Sequence, residues 1–174
     1  MLKKELINKV LDWADDKDAL NEFIYDKQLM KVGEEVNELC TELVLTHKSL
    51  SSRGKVFSEA GDVIVTLIIS DYLHTKDRDK TLENFLKIKF YTVKGAKHYT
   101  DLVLDLYIKY TDILFTWNMT KKFNLFAVKE LLNTLNRIVI NADSNLSYAL
   151  SLAIEKNSKR TGKIVNGSFV KDEY

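Results

Sequence analysis

The chain has 174 residues, 45% of them hydrophobic, with 26 basic and 25 acidic side chains and a formal net charge of +1. That length supports one domain with a real core, and the near-zero balance excludes a protein that coats nucleic acid or membranes by bulk electrostatics. A single cysteine, Cys40, excludes an internal disulfide framework and a cysteine-based zinc site.

Proline is absent and glycine occurs six times, while Leu, Lys, Glu and Asn fill long periodic stretches, so the fold class predicted is all-α. A first helix is expected from about Lys3 to Trp13 and on towards Ala19, with Leu6, Ile7, Val10, Leu11 and Trp13 on its apolar side. The second runs from about Asp26 to Ser49, where Leu29, Val32, Val36, Leu39, Cys40 and Leu43 form a stripe beside a polar row of Lys31, Glu35, Glu38 and Glu42. After the Ser49–Gly54 turn comes a third helix, about Lys55 to Leu73. Its segment Val63 to Ile69 is apolar all round, which marks the helix as central.

A charged stretch from Thr75 to Lys80 precedes helices at about Thr81–Val93, Tyr99–Trp117 and Leu125–Asn141. Asp143 or Ser144 is expected to cap a last helix, Leu146 to Arg160, closed by basic residues and Gly162. Asn166-Gly167 between β-formers predicts a short C-terminal hairpin. The opening residues lack the apolar core and cleavage site of a secretory signal, and Val63 to Ile69 is too short to span a bilayer. With Cys40 read as a small buried side chain, the expectation is a soluble cytoplasmic protein.

Two carboxylate clusters carry the chemistry: Glu34-Glu35-x-x-Glu38 on the second helix and Glu59-x-x-Asp62 on the third. Acids three residues apart share a helix face, so packing the two helices side by side gathers like charges that repel unless a cation neutralises them. Hard oxygen ligands of this kind suit Mg²⁺ or Mn²⁺, and Mg²⁺ is commonly held by carboxylates together with substrate phosphates. Glu59 and Asp62 stand one turn before the buried run, where an unpaired acid is expensive.

The segment Lys31-Val32-Gly33-Glu34-Glu35-Val36-Asn37-Glu38-Leu39, followed by Glu59-Ala60-Gly61-Asp62-Val63, resembles the EExxE and ExxD signature of MazG-like all-α nucleoside triphosphate pyrophosphohydrolases. The tail from Lys156 to Lys171 also looks like the end of phage-type and bacterial members. The resemblance implies a helical bundle, a homodimer or homotetramer, that uses Mg²⁺ to split a nucleoside triphosphate into a monophosphate and pyrophosphate. Carried over by position, Glu35, Glu38, Glu59 and Asp62 are the metal ligands, and Glu34 or Glu38 accepts the proton of the attacking water. Lys31, Lys156 and Arg160 face the phosphates with Asn157 beside them. Apart from the resemblance, the base needs its own pocket, and Trp13 or an aromatic such as Phe23 is the residue expected to stack on it. The match covers about residues 1–73 and 142–171, which makes 74–141 a helical insertion or extension of the one domain. Asn37 stands where that family commonly has glycine.

Other readings compete. EExxE also occurs on solvated helices, where Lys31 and Glu35 form an ordinary four-residue ion pair. His47, His74 and His98 do not follow a glutamate by three residues, so the Glu-x-x-His spacing of a di-iron bundle is missing. Tyr91, Tyr99, Tyr107 and Tyr110 read as core or interface aromatics, and the mixed charges around them give little sign of a nucleic-acid platform. No nucleic-acid or membrane partner is expected. An all-α dUTPase-like enzyme is the runner-up, followed by a catalytically silent helical nucleotide-binding or interaction protein.

Overall fold

The periodic stretches become helices α1 (Lys4–Asp16), α2 (Ala19–Glu22), α3 (Tyr25–His47), α4 (Arg53–Thr75), α5 (Arg78–Leu86), α6 (Tyr99–Thr120), α7 (Leu125–Asn141) and α8 (Leu146–Ser158). A hairpin of β1 (Gly162–Val165) and β2 (Ser168–Lys171) follows. The computed structural model describes residues 2–91, 98–166 and 168–171. The fold is all-α, and α7 has the bounds read from its periodicity.

Helix α4 is the axis of the structure. Every residue from Ala60 to Asp71 is buried, because α3 and α8 cover two of its sides and α1, α5 and α7 close the rest. Ile64, Leu67 and Ile68 are completely buried there, each burial favouring the folded state by about 1.5–3 kcal/mol before chain entropy is set against it. The region 74–141 joins this core: Phe85 of α5 and Leu131, Leu132 and Leu135 of α7 are buried in it. Helix α6 forms an outer layer on α3 and α7. No described helix is long and apolar enough to cross a membrane.

Several boundaries differ from expectation. The first helix ends at Asp16 because Asp18 adopts a left-handed φ of 58°, which turns the chain into α2. Helix α5 starts at Arg78, where the Asp77 carboxylate accepts the Lys80 amide at 3.0 Å, and it stops at Leu86. Val93, its expected end, lies outside the described residues. Asn145, not Asp143 or Ser144, caps α8: its backbone is extended and its Oδ1 accepts the Tyr148 amide at 3.0 Å, whereas Asp143 is left-handed at φ 59°. The hairpin pairs Ile164 with Phe169 and Val165 with Ser168. Asn166 takes the positive φ that a tight hairpin turn requires, and Gly167 lies outside the described residues.

Candidate active site

Helix α3 delivers Glu34, Glu35 and Glu38, helix α4 delivers Glu59 and Asp62, and helix α8 delivers Lys156 and Asn157, with Arg160 just beyond its end. Three of the acids converge. Glu35, Glu38 and Glu59 each bring a carboxylate oxygen within 4.8 Å of the others, with Glu35 buried, Glu59 half-buried and Glu38 exposed.

Asp62, only 3% exposed, is engaged differently. Its Oδ2 is ion-paired with the Lys156 ammonium and its Oδ1 accepts the Asn157 amide at 3.4 Å. Lys156 also stands 3.5 Å from Glu59, so this lysine balances two of the acids at once. Glu34 lies outside the converging group, exposed, with Lys31 Nζ at 2.7 Å; the same ammonium is 3.0 Å from Glu35.

The electrostatics record crowding. Burial pushes the Glu59 carboxyl above the usual range; Lys156 opposes this, and Asp62, Glu38 and Glu35 add to it. Burial likewise raises Asp62 in spite of its bond to Lys156. Burial pulls Lys31 down, but hydrogen bonds to Glu34 and Glu35 outweigh it and the ammonium ends above its ordinary value. Among the described residues, the buried Glu59 Oε2 and Asn157 Oδ1 have no hydrogen-bond partner. A buried carboxylate oxygen left unpaired in a group of hard donors fits a divalent cation such as Mg²⁺ or Mn²⁺.

Beside the acids opens a cavity of about 190 Å³. Trp13, Phe23 and Phe169 line it, together with Lys31, Glu34, Glu35, Asp62, Asn157 and Arg160. All but three of the residues expected from sequence thus border one space; Glu38 and Glu59 reach it through Glu35, and Lys156 through Asp62. Phe169, Lys27 and Gln28 also line this space, and no motif in the sequence marks them as site residues. Phe169 reaches the pocket because the hairpin folds back over α1, setting its ring 6.2 Å from Trp13 at 59°. Lys27 Nζ holds that hairpin by donating to the Asn166 carbonyl, and Gln28 Nε2 donates to the Thr66 carbonyl at 3.1 Å. Alternation along β2 picks out Phe169 as facing one side, yet nothing in the sequence tells which helix that side meets.

The remaining candidates stay apart from the acids. Burial pushes the Cys40 thiol up to about 11, against a hydrogen bond with Tyr107 that pulls it down, so it is not a poised nucleophile. His47 stacks on Tyr99 with centroids 4.0 Å apart, and His74 sits in an aromatic group with Tyr25, Trp117 and Phe123. Comparison of the chain with protein-family models, curated proteins and solved structures finds no match.

Proposed function

We propose that the chain is a divalent-metal-dependent hydrolase that splits a (deoxy)nucleoside triphosphate into the monophosphate and pyrophosphate, in the manner of the MazG-like all-α group its motifs resemble. Glu35 carries the reading. It belongs both to the converging acids and to the wall of an aromatic-lined pocket, so a ligand held in that pocket lies next to the metal-binding donors.

Glu35, Glu38 and Glu59 would hold Mg²⁺ or Mn²⁺, with Asp62 beside them. Such an ion, when bound, offsets charge on phosphoryl oxygens and acidifies water. The chain's own residues supply the rest. Trp13, Phe23 and Phe169 grip the base by stacking and apolar contact. Lys31 and Arg160 line the same cavity and attract the phosphates, while Lys156 favours the charged form of Asp62 against the effect of burial and orients it. Glu34 at the exposed rim, or Glu38, accepts the proton of the water that attacks the α-phosphorus. A cytoplasmic homodimer or homotetramer is the assembly that goes with this reading.

The test is pyrophosphate release from a panel of ribo- and deoxyribonucleoside triphosphates with Mg²⁺, comparing wild type with Glu38→Ala. Turnover by the wild type and its loss in Glu38→Ala are expected. No turnover on any substrate sinks the enzyme reading, and turnover that survives Glu38→Ala sinks the site. A strong preference for the uracil nucleotide makes the enzyme dUTPase-like instead.

A further inference from the structure

A second groove, about 370 Å³, lies where the end of α5 meets the start of α7. Lys87, Lys89 and Lys129 line it with Tyr91 and Phe126, and none of its described lining residues is acidic. The sequence explains the sign. No aspartate or glutamate stands between Glu83 and Asp101, or between Asp112 and Glu130, and folding brings one acid-free stretch against the other. The charges that look mixed along the chain are sorted in space.

The two aromatic rings are the unusual part. Tyr91 is 58% and Phe126 72% exposed, although large aromatics normally contribute their area to a core. Tyr91 is held in place: its amide donates to Asn133 Oδ1 at 3.3 Å, and Lys129 Nζ stands 5.5 Å from its ring centroid. Lys87 is engaged by Glu83, whereas Lys89 and Lys129 have no acidic partner among the described residues. The groove therefore offers two cations without an acidic partner, Lys129 standing over the Tyr91 ring, beside two solvent-exposed aromatic side chains.

We propose that this groove binds single-stranded nucleic acid. A single strand presents both complements at once, phosphates for the lysines and unstacked bases for the rings. A duplex hides its base faces, and an acidic peptide would engage the lysines while leaving Tyr91 and Phe126 in water. The inference is independent of the proposed hydrolysis, since the groove and the acid-lined cavity share no residue.

The experiment is fluorescence anisotropy of a labelled oligothymidylate of about a dozen nucleotides, in EDTA and low salt so that the acid site plays no part. Two neutralised phosphates on a single strand predict a slope of log K against log salt near about −1.4. Tyr91→Ala and Phe126→Ala should each weaken binding by roughly 5- to 150-fold, the range for one lost base stack. Lys89→Glu combined with Lys129→Glu should abolish it, and the Lys89→Gln, Lys129→Gln pair repeats the measurement if the charge reversal disturbs folding. No binding by the wild type overturns the proposal. So does binding that these variants leave unchanged, or equally tight binding of the matching duplex or of polyglutamate.

Discussion

Gly61 of α4 lies against the backbone carbonyl of Ala149 on α8: a methyl group on Gly61 would stand 2.1 Å from that oxygen and 2.8 Å from its carbon. This close crossing lets Lys156 and Asn157 of α8 reach Asp62, the next residue on α4. A backbone carbonyl cannot swing aside as a side chain can. Gly61→Ala should therefore sit at the upper end of the roughly 1–3 kcal/mol that overpacking costs. In a chain of this size that corresponds to a melting temperature lower by roughly 6–12 °C. An unchanged melting temperature would show that the helices part without cost.

Gly33 makes the complementary case one residue before the first acid pair. A methyl there would lie 2.3 Å from the Tyr110 hydroxyl, which donates to the Leu29 carbonyl at 3.2 Å. The obstacle is a side chain, so it can be removed. Gly33→Ala alone should destabilise, and Tyr110→Ala added to it should cost less than the two single losses summed, by about 0.5–3 kcal/mol of coupling. Strict additivity in chemical denaturation would sink this account of the α3–α6 contact.

Glu59 and Glu34 should behave in opposite ways towards metal. Glu59→Gln removes one of the three converging carboxylates, so Mn²⁺ affinity measured by calorimetry should fall by at least the roughly 10- to 100-fold typical of losing even an outer partner. Glu34→Gln leaves the converging group intact and should change that affinity little. Without metal, in EDTA at neutral pH, the Glu59 substitution should instead stabilise the fold. Burial raises the Glu59 pKa, so its charge opposes folding above the usual carboxylate range, and Glu59→Gln should melt higher than wild type. Equal Mn²⁺ binding by both variants would remove Glu59 from the ligand set.

Local pattern explains what could be read in advance. The apolar stripe of α7 and the all-apolar run of α4 depend on periodicity within one segment, and both helices formed where the spacing put them. The acids were legible for the same reason, since three-residue spacing fixes a face without knowledge of the fold. Trp13 and Phe23 could be named as aromatics near the front of the chain. Phe169 could not, because its place depends on the hairpin returning to α1 and on Lys27 reaching Asn166, contacts between distant residues that leave no local period. The division of labour between Asp62 and the other acids was hidden likewise: it is set by Lys156, which only the α4–α8 crossing brings near.

That distant contact has a kinetic consequence for the proposed hydrolysis. If Trp13 and Phe169 hold the base, Trp13→Ala and Phe169→Ala should each raise the Michaelis constant for the preferred nucleotide by roughly 5- to 150-fold, the range of a lost base–aromatic contact. The turnover number should change far less, because neither ring is among the acids. A Michaelis constant that stays put in both variants would take the base out of this pocket.

Asp71 gives a pH dependence that has nothing to do with metal. It is 1% exposed on α4, and the Asn84 amide donates to its two oxygens at 3.0 and 3.2 Å. Burial raises its pKa; hydrogen bonds from Thr81 and Asn84, then the nearby His74 and Lys80, oppose the shift without cancelling it. The folded protein therefore keeps this proton to higher pH than the unfolded chain, whose aspartates titrate near about 3.9. Across that window the folded state binds more protons, so stability falls as pH rises through it and levels off above the raised value. Asp71→Asn retains an oxygen for the Asn84 amide and carries no charge, so it resembles the protonated wild type at every pH. Melting curves in EDTA between about pH 4 and 8 should show the variant above wild type at the neutral end, with the two converging as the acid end is approached. Glu59 and Asp62 add slopes of the same sign to both proteins and cancel in the difference. A gap that is constant with pH would mean that Asp71 does not change its charge preference on folding.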